Sequence, residues 1–181
     1  VGRLMPEKDL ATWVRAAGGL AGRYPKAAFV LVGDGYTEAT RRELLALARA
    51  LGFADRLHLT GYRKDLLEVY SAFDCFMMTS RREGLPNSLL EAMALGLPVV
   101  TTDVAGAKEL VWDGVTGFVR PQGDVAGLGA ALRRLAEDEA LRARLGRAGR
   151  QRVVAEFSFA RRMQRIESLY LDLVSGAAGV H

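Results

Sequence analysis

The chain has 181 residues and a formal net charge of +4; half of it is apolar and a quarter is charged. That is ordinary globular composition, long enough for one domain that buries roughly 70% of its unfolded surface. No apolar run reaches the ~20 residues of a membrane span, the opening residues carry no secretory-leader pattern, and the single cysteine excludes an internal disulfide.

Val1–Arg3 reads as the end of a strand, as though the chain were cut from a longer protein. Leu10, Trp13, Val14, Ala17 and Leu20 then recur at helical spacing. Ala28–Val32 is a short apolar run suited to a strand buried on both faces, closed by the turn Gly33-Asp34-Gly35. Thr40–Leu51 is a helix with Leu44, Leu47, Ala48 and Leu51 on one side, ended by Gly52. Leu57–Thr60 is a strand stopped by Gly61, and Asp65 opens a short helix carrying Leu66, Val69 and Tyr70. Phe73–Thr79 is a strand, and Cys75 within it reads as a buried structural thiol. A helix over Ser88–Leu95, closed by Gly96, precedes a strand over Pro98–Thr101, a short helix over Ala107–Trp112 and a strand over Gly117–Val119. Three helices follow, Ala126–Glu137, Ala140–Glu156 and Phe159–Val174, and Ser175–His181 reads as a loose tail.

Repeated β-then-α units predict an α/β fold, a Rossmann-like parallel sheet flanked by helices over residues 1–174. Ligands of such sheets bind beyond the carboxyl ends of the strands, so the residues that follow strands are the candidates. Arg3 and Lys8 follow the first strand and offer two cations to a diphosphate, although 25 basic residues make such pairs common. Gly33 and Gly35 permit a tight turn and a close ligand, or form a plain turn. They do not open a Gly-x-Gly-x-x-Gly fingerprint, because position 38 is Glu, which disfavours a nicotinamide enzyme. Gly61, Tyr62 and Arg63 follow the third strand, where a ring or guanidinium plane stacks on a base or simply faces water.

The segment from Arg82 to Val100 is the most informative. Glu83 sits in a post-strand loop, Gly84 and Leu85 lead to Pro86, and Pro86 suits a helix start. Amides across Asn87, Ser88, Leu89 and Leu90 would then point at an anion, aided by the helix dipole. Glu91, one turn in, suits a diol; alternatively Ser88 and Glu91 form a capping box. Between Arg133 and Arg165 ten Arg accompany four Asp/Glu, but no regular aromatics or reading motif suggest nucleic acid as a partner.

Four segments together resemble the group 1 (family 4) glycosyltransferases from residue 1 to about 170. They are Val1–Lys8, Val32–Gly35, Leu59–Gly61, and Glu83-x7-Glu91-Ala92-Met93-Ala94-x-Gly96-x-Pro98-Val99; Gly114-x-x-Gly117-Phe118-Val119 and Pro121 extend the likeness. The resemblance implies the donor-binding, carboxyl-terminal half of a two-domain GT-B fold, with an acceptor-binding domain lying outside this sequence. It implies a retaining, metal-independent hexosyl transfer with no cofactor. The substrate would be a UDP-, GDP- or ADP-linked sugar.

Arg3 and Lys8 would hold the diphosphate and Glu83 the sugar hydroxyls. Backbone from Gly84 to Ser88 would meet sugar and phosphate, amides near Leu89 and Leu90 the distal phosphate, and Glu91 the ribose. The Gly61–Arg63 loop would lie by the base, and Gly33 to Gly35 would support the cleft floor. The family usually has Gly after the Lys; here Asp9 stands there, expected to face outward as a helix N-cap. The last helix often crosses to the other domain in this family, which would leave its apolar face open here. The expected setting is the cytoplasm, with peripheral attachment to the inner membrane face as a variant for the full-length protein. Two alternatives share these features, a nucleotide-sugar-binding module without catalysis and a sugar-nucleotide epimerase of the same architecture. The second is weakened because only His58, inside a strand, and His181, in the tail, are available.

Overall fold

The computed structural model describes residues 1–177. Five strands alternate with helices: β1 (Phe29–Leu31), β2 (Leu57–Leu59), β3 (Phe76–Met78), β4 (Val99–Thr102) and β5 (Phe118–Arg120). The helices are α1 (Leu10–Ala21), α2 (Glu38–Ala50), α3 (Leu66–Ser71), α4 (Asn87–Ala94), α5 (Ala105–Leu110), α6 (Val125–Glu137), α7 (Glu139–Glu156) and α8 (Phe159–Ala177). Every strand pair is parallel, as a β-then-α order requires. The α/β class and the sequence of elements therefore agree with expectation.

The sheet is divided. β1 pairs with β2 in one sheet, and β3, β4 and β5 pair in a second. The predicted strand end at Val1–Arg3 is not a strand. It contributes only two backbone bonds alongside the continuation of β1, Gly2 N–H to Val32 O (3.0 Å) and Leu4 N–H to Asp34 O (2.5 Å). The strand expected over Phe73–Thr79 shortens to β3, because Phe73 N–H still donates to Tyr70 O (3.1 Å) in the turn out of α3. The helix expected over Ala107–Trp112 begins two residues earlier, since Val104 O accepts from both Ala107 and Lys108 N–H. Of the predicted loose tail, Ser175 to Ala177 continue α8, and residues 178–181, His181 among them, lie outside the described residues.

Two apolar clusters carry the packing. The first joins Val14 and Ala17 of α1, Phe29 and Leu31 of β1, and Leu128 and Leu135 of α6. The second joins Tyr70, Phe76, Leu89, Met93, Leu110 and Val153. Burial on this scale supplies the dominant favourable term in folding. α8 joins neither cluster: Phe159, Tyr170 and Val174 are two-thirds exposed or more, so its apolar face is open.

Two arginines of the basic stretch from Arg133 to Arg165 have structural roles. Arg142 donates to the carbonyls of Leu135 and Ala136 at the end of α6, and Arg152 donates to those of Glu109 and Leu110 while stacking on Trp112. Among the described residues no helix is long and apolar enough to cross a membrane.

Candidate functional site

The loop before α1 is built around Lys8 and Asp9. Pro6–Lys8 forms one 3-10 turn, and Asp9 stops it in the left-handed region, with φ 45° and ψ 57°. Asp is one of the few side-chain-bearing residues that enters this region readily, and Gly enters it without penalty. Asp9 caps α1 as predicted, accepting from Thr12 N–H (3.3 Å) and Thr12 Oγ1–H (3.0 Å). It does not face outward, however. It is buried, and its Oδ2 accepts from Arg81 Nε at 3.1 Å. Thr79 Oγ1 lies within hydrogen-bond distance of the carbonyls of Lys8 (2.9 Å) and Asp9 (3.1 Å), and Arg81 N–H donates to Glu7 O (2.7 Å). The turn carrying Lys8 is therefore bolted to the residues that follow β3.

From that turn Lys8 Nζ reaches Glu83 Oε1 at 2.5 Å, and Ser80 Oγ donates to the same oxygen at 2.7 Å. Both charged side chains are mostly buried, which strengthens the pair relative to a surface one. An ammonium has three donors, so Lys8 keeps two for an anion. Two of the sequence-predicted residues, separated by 75 positions, are brought into direct contact.

Glu91, on α4, is exposed but held: Tyr70 O–H donates to its Oε2 at 2.7 Å. Burial first, then this bond, raises the Tyr70 hydroxyl pKa well above the ordinary phenol value, so it stays a donor. The capping-box alternative is not realised, because α4 has Pro86 as N-cap and no side-chain cap. Leu89 and Leu90 N–H both donate to Pro86 O, at 3.0 and 3.1 Å. The expectation of free amides over Asn87–Leu90 is thereby corrected to Asn87 and Ser88, whose N–H groups make no backbone hydrogen bond among the described residues.

The α-amino group of Val1 lies buried near these residues. It is pushed down to about 6 by burial and by Lys8, while Glu91 opposes the shift. Val1 thus sits within electrostatic reach of both, and Val1, Lys8, Ser80 and Ser88 line one cavity. Glu83 and Gly84 line an adjoining hollow with Arg81, Asp103 and Gln122.

The remaining predicted residues divide. Gly33 is indispensable to the geometry: a Cβ there would lie 1.7 Å from Gly2 O. Gly35 lies under the Arg3 side chain, which is exposed and lines neither hollow. Gly61 accepts a backbone bond from Gly33 N–H at 2.8 Å. Tyr62 is 68% exposed, and Arg63 is engaged by its neighbour Asp65, whose carboxyl it holds at about 2. Neither lines the hollows. Leu85 is exposed and Pro86 buried. Cys75 is half-buried against the cavity, and burial pushes its thiol up to about 11, in keeping with an inert thiol.

Sequence reasoning missed four contributors. Ser80 follows β3 directly, so the rule that points to post-strand residues would have found it. Tyr70 was legible only as an apolar helix position. Arg81 and Asp9 are 72 residues apart, with no local signal. Gly106, in the first turn of α5, has to lack a side chain because its Cβ would lie 1.7 Å from Gly84 O.

Known proteins share this sequence pattern and fold. The family model described as glycosyl transferases group 1 matches residues 1–152. The chain is 33% identical over 175 residues to the lipopolysaccharide core biosynthesis glycosyltransferase LpsE of Rhizobium meliloti, covering 97% of this chain and 48% of that one. The crystal structure of Anabaena Alr3699/HepE in complex with UDP-glucose superposes with a TM-score of 0.81 at 29% identity, over 93% of this chain and 48% of that one. The C-terminal domain of the glycosyl transferase group 1 family protein LpcC from Francisella tularensis superposes with a TM-score of 0.80 at 25% identity, over 88% of this chain and 84% of that one. The chain spans about half the length of the curated relatives it matches. A Lys–Glu contact joining the first loop to the Glu-x7-Glu segment, on a GT-B half-fold, accords with the match over most of its length, and the chain belongs to the glycosyl transferases group 1 family.

Proposed function

We propose that the chain is the donor half of a retaining glycosyltransferase, binding a nucleotide sugar and passing its hexosyl group to an acceptor held elsewhere. The observation that carries this reading is the Lys8–Glu83 contact at 2.5 Å, just before the amino end of α4, the helix that carries Glu91. A diphosphate at that point meets Lys8, Arg3 swinging in from the rim, and the Asn87 and Ser88 amides. Fixed positive charge there stabilises the leaving diphosphate without a metal. Glu83, already aligned by Ser80, turns its second oxygen to sugar hydroxyls. Glu91 holds the ribose, and the departing phosphate takes the acceptor proton on the same face. The relative crystallised with UDP-glucose supports UDP as the first nucleotide to try.

Calorimetry with UDP, GDP and ADP tests the reading. Glu91→Ala, and separately Arg3→Ala with Lys8→Ala, each lose at least about tenfold in affinity, about 1.4 kcal/mol, while remaining folded. Equal affinity in all three proteins moves the site elsewhere. The 181-residue chain alone transfers nothing at a measurable rate, and robust turnover by it would refute the need for a second domain.

A further inference from the structure

The hollow that opens at Glu83 has a volume of about 510 Å³, within the roughly 300–1,000 Å³ of small-molecule sites. Its walls are residues that follow three adjacent strands: Arg81 to Gly84 after β3, Asp103 after β4 and Gln122 after β5. Ligands of parallel sheets bind at such strand ends. The walls are tied to one another. Thr102 Oγ1–H donates to Ser80 O at 2.6 Å, Asp103 N–H to Arg120 O at 2.8 Å, and Gln122 Nε2–H to Asp103 O at 3.4 Å. Lys8 lines the neighbouring cavity and not this one, so Glu83 stands between the two. Its Oε1 is taken by Lys8 and Ser80, and its Oε2 has no partner among the described residues.

The charges around this hollow cancel pair by pair until one is left. Of its two acids, Glu83 is answered by Lys8, and Asp103 by Lys108, whose Nζ lies 2.6 Å from Asp103 Oδ1. Of its two guanidinium groups, that of Arg81 is answered by Asp9. Arg82, exposed and lining the hollow, makes no hydrogen bond or ion pair among the described residues. Its backbone is held on both sides, by Arg81 N–H on Glu7 O and by the Glu83 side chain on Lys8 and Ser80. Only its side chain is unengaged, and that side chain is a planar fork that meets a carboxylate through two parallel bonds. We infer that the hollow takes a sugar ring bearing a carboxylate, a hexuronosyl group, and that Arg82 is the residue that selects it. The inference rests on the donor reading, which puts the transferred sugar at Glu83. Glu83 Oε2 and the side-chain oxygen of Gln122 accept from ring hydroxyls, while Arg82 pairs with the acid. An uncharged sugar makes the hydroxyl bonds and leaves the guanidinium in water. A uronosyl ring adds a charge-assisted pair between protein walls, where it is worth more than in bulk water. Arg82 and Glu83 are adjacent in the chain and line one hollow, so the acid and the hydroxyls they hold belong to one small ring.

Calorimetry on the 181-residue chain tests this with UDP and two pairs of nucleotide sugars, UDP-glucose with UDP-glucuronic acid and UDP-galactose with UDP-galacturonic acid. Within each pair the sugars differ only at C6, hydroxymethyl against carboxylate, and the pairs differ from each other at C4, so a misplaced hydroxyl in one pair leaves the other to decide. In at least one pair the acid binds about tenfold or more tightly than its neutral partner. Arg82→Ala abolishes that preference. Arg82→Lys keeps part of it, because an ammonium supplies the charge without the fork. Both variants bind UDP within about threefold of wild type, which shows that the rest of the site is intact. Equal affinity within both pairs, or a preference that survives Arg82→Ala, would overturn the inference while UDP binding left the donor reading standing. No binding of UDP or of any of the four sugars would sink the uridine donor reading and this inference with it. Glucose 6-phosphate, added to the UDP-loaded chain, probes the other source of an anion. Saturable binding of it that Arg82→Ala abolishes, with no preference within either pair, would give Arg82 to the acceptor and overturn the assignment to the transferred sugar.

Discussion

The two ends of the site are built differently. At the end proposed for the diphosphate and sugar, Lys8, Glu83, Ser80, Asp9, Thr79 and Arg81 hold one another through bonds that join the loop before α1 to the residues after β3. At the end proposed for the base, Tyr62 stands in water and Arg63 bonds, among the described residues, only Asp65, two positions away. A preorganised group binds without first losing its freedom, whereas a loose one loses on ordering part of what it gains. On the proposed reading, affinity belongs to the braced end and the open end tunes which base is taken.

The largest effect expected from the braced end is on stability against pH. The Val1 amino group ordinarily titrates at 8.0 and is pushed down to about 6 by burial and Lys8. Between those values the unfolded chain binds a proton that the folded chain does not. Stability therefore rises as pH climbs from 6 to 8, by about 2 kcal/mol, and that increment is lost again on acidification. Thermal unfolding of the 181-residue chain across this range, beside the same chain acetylated at Val1, measures it. A profile unchanged by acetylation would place the amino group in water.

Asp9 ranks next, because three interactions meet in it. Asp9→Ala loses the cap and the Arg81 contact and sets a β-carbon without a hydrogen-bonding group at φ 45°. The cost is about 1–2 kcal/mol, or roughly 3–6 °C in Tm. Asp9→Gly loses the same bonds but relieves the backbone, so it falls between wild type and alanine. An alanine variant as stable as the glycine one would show that the left-handed conformation carries no strain. Tyr70→Phe is smaller still. Removing the hydroxyl that donates to Glu91 at 2.7 Å weakens UDP binding about fivefold, roughly 1 kcal/mol, with little change in Tm. A uridine diphosphate lacking the ribose hydroxyls should show no such loss, which separates positioning of Glu91 from a general structural role.

What was legible in advance follows the same division. The parallel α/β order was readable because apolar runs of strand length alternate with helical periodicity, and each strand from β1 to β5 lies inside or within one residue of its predicted run. Lys8 and Glu83 were identifiable because each was expected after a strand, but their contact was not: it depends on the loop before α1 meeting the residues after β3. Asp9 misled for a local reason. Its capping role is written in the sequence, whereas its burial is set by Arg81, 72 residues on. The division of the sheet was invisible too, since periodicity reports that a segment suits a strand and says nothing of which edges are paired.

The smallest predicted effect is the one that sharpens the comparison most. Tyr62→Ala removes a ring that touches water on most of its surface, and Arg63→Ala removes a guanidinium whose measurable partner is Asp65. Exposed pairs of this kind contribute at most about 1 kcal/mol, so neither change should move Tm by more than ~3 °C. Uridine diphosphate and guanosine diphosphate present the same diphosphate to Lys8 and differ at the base. If the braced end supplies affinity, both variants bind either nucleotide within roughly threefold of wild type, about 0.6 kcal/mol, while the ratio between the two nucleotides shifts. A variant that lost both nucleotides equally and by tenfold or more would place the loop against the phosphates. The line between a fixed diphosphate end and an adaptable base end would then have been drawn in the wrong place.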